Sequence, residues 1–86
     1  MNILKNSSTR IKSLTFDDKI HIHLSSGDVL VLPLDYTNIL SGATKDELKK
    51  YRLIADGIGV HFEALDEDIS LAGIIHYKMT HDLMAS

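Results

Sequence analysis

His21-Ile22-His23 is the stretch of this chain whose residue types and spacing come nearest to a reactive site. On an extended strand the two imidazoles share one face about 6.5–7 Å apart, a separation that metal sites use. Two histidines on a solvated strand face need no metal, and that reading is preferred. His76 and His81 are five apart, about 140° around a helix, so one ion does not easily take both. Asp66-Glu67-Asp68 and Glu63 supply carboxylates, but no calcium-loop glycine surrounds them and no nucleophile or oxyanion donor accompanies them. Gly57-x-Gly59 lacks the third glycine of a phosphate loop and runs into a strand instead of a helix. There is no cysteine and no G-x-S-x-G elbow. The residues therefore predict no catalytic group, no cofactor and no metal, and a protein that is not an enzyme.

Two other sets of residues point to binding. Lys45, Lys49, Lys50 and Arg52, with Arg10 and Lys12, form a modest basic set that a nucleic-acid regulator would use. The net charge of −3 and the pI near 5.9 weigh against a protein that lives on phosphate contacts. Nucleic acid is thus the alternative and a solvated helix face the preferred reading. Ile69, Ala72, His76, Met79 and Leu83 recur at helical spacing and make one face apolar over about four turns. His76, Met79 and Leu83 are the residues expected at an interface, and a homodimer is the expected assembly.

The elements that position these residues follow from alternation and punctuation. Ile11 to Phe16 and Lys19 to Leu24 alternate, with Asp17-Asp18 as the turn between them; Ile20, Ile22 and Leu24 face one way and His21 and His23 the other. Ser25-Ser26-Gly27-Asp28 is a second turn. Val29 to Leu32 is apolar on both faces, and Pro33 ends it because proline cannot donate to a ladder. These make a three-stranded antiparallel meander. Tyr36 to Leu40 reads as a helical turn that drops Tyr36 and Leu40 onto the sheet. Thr44-Lys45-Asp46-Glu47 is a capping box opening a helix to about Arg52. Leu53 to Ala55 and Ile58 to Phe62 read as one return strand, broken or bulged at Asp56-Gly57 and Gly59, which would pair at either edge of the meander. Asp66 or Asp68 is expected to cap a long helix from about Glu67 to Leu83.

Eighty-six residues make a single core, read as a flexible arm over residues 1–10 and one α+β domain over 11–86. An apolar fraction of 44% with 24% charged residues is that of a globular chain. Burying only about 60–65% of its unfolded surface, such a chain gains from oligomerisation. Its longest apolar runs fall well below the roughly 18 residues of a bilayer span, so no membrane association is expected. The absence of cysteine and of a visible secretory signal fits a cytoplasmic location.

From Ile11 onward the order of signals carries a family resemblance. Phe16-Asp17, Ser26-Gly27, Val31 to Leu34, Tyr36 to Leu40, Ala43-Thr44, Gly57 to Phe62 and Leu65 to Leu71 together resemble the small bacterial family filed as domain of unknown function 2442. The resemblance covers roughly residues 11–75, and its closing Leu-Asp-Glu-Asp-Ile-Ser signature is the specific part. Phe62-Glu63 stands where that family usually has tryptophan and proline, and residues 76–86 run past its usual end. The resemblance implies a small antiparallel sheet with packed helices. Some members carry a helix-turn-helix domain or stand beside small toxin-like partners, which implies an antitoxin-like or adaptor role with a protein partner.

Overall fold

The structure, a computed structural model, describes residues 8–85, with side chains described as far as His81. Six strands and three α-helices follow in the order β1 (Ile11–Phe16), β2 (Lys19–Leu24), β3 (Val29–Pro33), α1 (Asn38–Ser41), α2 (Lys45–Lys49), β4 (Tyr51–Ile54), β5 (Gly59–Phe62), β6 (Glu67–Ser70) and α3 (Leu71–Ala85). The fold is α+β, with antiparallel sheet packed against helices and a long C-terminal helix, as the sequence implies.

The meander forms as expected, in the order β1-β2-β3. Ile20 pairs Phe16 and Leu32, and Ile22 pairs Leu14 and Leu30, so these apolar residues share the inner face. A register shift between Ile11 and Ser13 brings Ile11 and Leu14, three apart, onto that face together; both are buried. Of the expected arm, residues 1–7 lie outside the described residues. Thr9 is buried, and Arg10 accepts from the Ser25 amide while donating its own to the Ser25 hydroxyl, so these two belong to the sheet's margin.

The second half differs from its expected form. Instead of one bulged return strand there is a second three-stranded sheet, β4-β5-β6, which does not continue the meander. The Asp56-Gly57 break is a turn that reverses the chain, so Leu53 pairs Val60 and Ile54 pairs Gly59. α2 stops at Lys49 because Tyr51 and Arg52 are taken by pairing with Phe62 and His61. The acids do not cap a helix: Glu67 to Ser70 pairs with β5, Ile69 turning inward against Val60 while Asp68 and Ser70 turn outward. The helix starts at Leu71, where the Ser70 hydroxyl accepts the Gly73 amide at 3.0 Å.

Both hydrogen bonds of the capping box read from the sequence are present at the start of α2: Glu47's amide donates to Thr44 Oγ1 at 3.1 Å and Thr44's amide to Glu47 Oε1 at 2.9 Å. Thr37 caps α1 and also donates to Glu67 Oε2 at 3.0 Å, fixing α1 against β6. One core then takes Leu14, Ile20, Ile22, Leu24 and Leu32 from the first sheet and Val60, Phe62 and Ile69 from the second. Leu40, Leu48, Leu71 and Ile74 from the helices complete it.

Two contacts close the seam between the sheets. The Tyr51 hydroxyl receives the Leu14 amide at 3.0 Å and donates to the Leu14 carbonyl at 3.4 Å. At the other end of β1, the β4–β5 turn packs so closely that a Cβ on Gly57 would lie 2.4 Å from the Ile11 carbonyl oxygen. Ala55, Asp56 and Gly57 all have left-handed backbone, φ +51°, +57° and +91°, which is unfavourable for alanine. Gly57→Ala should therefore cost roughly 3 kcal/mol, from overpacking against fixed backbone and from its left-handed φ. Ala55→Gly, where the side chain is exposed, should gain roughly 0.5–1 kcal/mol. Urea unfolding of both variants checks the pair of opposite signs.

Candidate functional site

Each outward face was built by strand parity, so the functional side chains are found where inward residues leave off. On the first sheet, His21 and His23 point away from the core beside Thr15 and Ser13. They are not turned toward a common point. His21 Nε2 donates to both carboxylate oxygens of Asp17, at 3.0 and 3.2 Å, while His23 Nε2 shares a hydrogen bond with Thr15 Oγ1 at 2.8 Å. No group of three or more metal-ligating side chains converges among the described residues. Asp17 also accepts the Lys19 amide at 2.8 Å. That backbone donor first, and the His21 side chain second, hold the Asp17 carboxyl below its ordinary value.

The second sheet carries a row that the sequence reading passed over. Arg52 on β4, His61 on β5 and Asp68 on β6 are register partners on the outer face. His61 Nδ1 donates to Asp68 Oδ1, and Arg52 Nε donates to Glu63 Oε1 at 3.0 Å. His61 is sheltered, with 19% of its side chain exposed against 67% for Asp68. A carboxylate on Nδ1 is the arrangement that fixes a base's tautomer, but the hydroxyl nearest by register, Ser70, is occupied as the cap of α3. The row holds three strands together and assembles no nucleophile. Its signal was available in the alternation of Val60-His61-Phe62 and Glu67-Asp68-Ile69, which the reading of three acids as a helix cap concealed.

The basic residues are distributed over several elements. Lys45 and Lys49 are exposed on α2 alongside Asp46, Lys50 follows the helix, and Arg52 is engaged by Glu63. Lys12 is exposed on β1, and the Arg10 guanidinium donates to the Thr9 carbonyl at 3.0 Å.

On α3 the buried side is Leu71 and Ile74, with Ile75 and Tyr77 partly covered. Tyr77 packs edge-on against Tyr36, with ring centroids 5.0 Å apart, and stacks on His81 at 3.8 Å. Burial and the neighbouring Tyr77 raise the Tyr36 phenol above its ordinary value. Ala72, His76 and Met79 lie on the opposite, exposed side. The apolar stripe of the sequence is thus the solvent-facing side of the helix, while Ile69, its first member, belongs to β6. Leu83, its last, lies outside the residues whose side chains are described. No helix is long and apolar enough to cross a membrane among the described residues.

With this geometry in hand, known proteins can be compared. A family model described as a protein of unknown function, DUF2442, matches residues 11–80. The fold is similar to a crystal structure of a protein of unknown function from Rhodospirillum rubrum, with a TM-score of 0.72 and 28% identity over 80% of this chain and 87% of that one. It is also similar to the solution structure of an uncharacterized protein from Chromobacterium violaceum, with a TM-score of 0.70 and 27% identity over 90% of this chain and 79% of that one. No curated protein is significantly similar to the chain.

The Asp17 contacts give a pH dependence with a definite sign. A carboxyl whose folded pKa is lowered from 3.8 stabilises the fold at neutral pH, and that contribution fades as pH falls through the folded value. Urea midpoints measured from pH 7 downward should therefore converge for the wild type and Asp17→Asn in acid and separate above about pH 4. Parallel curves would show that the Lys19 and His21 contacts contribute nothing.

Proposed function

We propose a role for a chain that belongs to the DUF2442 family: it is a non-enzymatic protein-binding module, antitoxin-like or an adaptor, that associates with a second copy through the outer side of α3. The observation that carries this reading is the uncharged exposed stripe of Ala72, His76 and Met79, with Met79 43% exposed. A helix in a small domain ordinarily turns charge outward on such a side. An uncharged exposed side with Met79 at its centre is instead a surface that another helix can cover.

A second copy fits the stripe by symmetry. Positions 72, 76, 79 and 83 are spaced evenly about their midpoint, so an antiparallel match sets Ala72 against Leu83 and His76 against Met79. Charge does not oppose it, because none of the four is an acid, lysine or arginine. A cytoplasmic location belongs to the same reading, since a chain without cysteine needs no oxidising compartment.

Light scattering coupled to size exclusion tests the association. The wild type should elute with dimer mass, and Met79→Glu combined with Leu83→Glu should elute as a monomer with unchanged circular dichroism. An unchanged mass in the double variant would remove α3 from the interface.

A further inference from the structure

We infer that the free edge of β3 is a second site of self-association, where two copies join by antiparallel strand pairing. Tyr51 fixes the direction in which the β1 peptide groups point. Its hydroxyl meets both the amide and the carbonyl of Leu14, so the peptide groups of Leu14 point away from β2. In an antiparallel ladder this direction alternates residue by residue. Ile22, the partner of Leu14, therefore points toward β3 and bonds Leu30, its partner there. Val29, Val31 and Pro33 must then point outward, away from β2. Two independent bonds agree: the Leu24 amide reaches across to Asp28, and the outward carbonyl of Pro33 is the one that the Tyr36 amide finds.

The two edges of the meander are thus treated differently. On β1 the Tyr51 hydroxyl occupies the peptide groups of Leu14. On β3 the outward amides and carbonyls of Val29 and Val31 have no hydrogen-bond partner among the described residues. Val29 is 45% exposed, and Val31 beside it is only partly covered. The strand reads Val-Leu-Val-Leu-Pro and carries none of the lysines, inward charges or bulges that keep an open edge from pairing. Its proline sits at the end, where a missing amide limits the pairing to Val29 and Val31.

The occupant that fits is another β3. A two-fold axis through Leu30 sets Val29 of one copy opposite Val31 of the other, and every outward amide and carbonyl of these valines meets its complement. The four valine side chains then form one patch on the outer face, and the two meanders become one continuous sheet. The edge of a five-residue strand buries less than the roughly 800 Å² per partner of a stable interface. Pairing is therefore weak and appears as concentration rises. It is independent of the α3 stripe, and because both contacts are two-fold, a molecule using both enters assemblies larger than a dimer.

Residue-resolved amide exchange, with mass measured on the same samples from dilute to concentrated protein, tests the inference. The Val29 and Val31 amides should slow by about tenfold or more as association sets in, in the wild type and equally in the Met79→Glu, Leu83→Glu variant. Val31→Pro removes an outward amide without touching the ladder to β2, and should abolish the slowing. Val31→Lys does the same by charge and serves if the proline variant does not fold, with protection of the Leu30 and Leu32 amides showing that β3 is intact. If the mass rises while Val29 and Val31 exchange at their dilute rates, association lies elsewhere, as on α3, and the edge assignment is wrong. A protein that stays monomeric at every concentration overturns it as well.

Discussion

Everything in this small domain depends on how the first sheet is joined to the second along β1. Neither sheet can bury its inner face alone, and among the described residues no strand ladder links them. The join is made by one side chain and one missing side chain. Tyr51 carries its hydroxyl to the backbone of Leu14 and its ring to within 6.0 Å of Phe16. Gly57 lets the β4–β5 turn press directly on Ile11. An amide bound to a phenol is still a satisfied amide, so the middle of β1, at Leu14, is closed to an outside strand.

That join has consequences further along the chain. For the turn to reach β1, Ala55 adopts left-handed backbone that its side chain disfavours, followed by Asp56, a residue that tolerates it. The reward is a fixed position for the residues that follow. The Ile58 carbonyl accepts the Leu71 amide at 2.7 Å, so the start of α3 is set by the same turn. Helix, turn and first strand are tied within a few residues of one another, which places Leu71 and Ile74 in the core and leaves Ala72, His76 and Met79 in water.

The polar side chains are mostly committed to structure. Asp17 supports the β1–β2 turn, Glu67 meets the α1 cap, Glu63 holds Arg52, and Asp68 holds His61. Exposed apolar side chains include Met79 on the outer side of α3 and Val29 at the edge of β3. The proposed role rests on the first of these and the edge inference on the second.

Elements whose signals are local could be read from the residues alone. The meander was legible in its alternation, in Gly27 and in Pro33. The α2 cap was legible because Thr44 and Glu47 satisfy each other within a single turn. The family was legible in the run from Gly57 to Leu71. The remaining elements took their form from contacts between distant segments. Glu67 to Ser70 fits a helix cap as well as a strand until Val60 and His61 are placed beside Ile69 and Asp68. Asp56-Gly57 reads as a bulge or as a hairpin until β4 has something to return to. The face of α3 that is buried could not be read from periodicity, because apolar residues occur on both of its sides, and only the position of its first turn selects between them. The His61–Asp68 pair and the open edge of β3 were hidden for the same reason. Each depends on which residue stands opposite, and register is a property of two segments that no single segment contains.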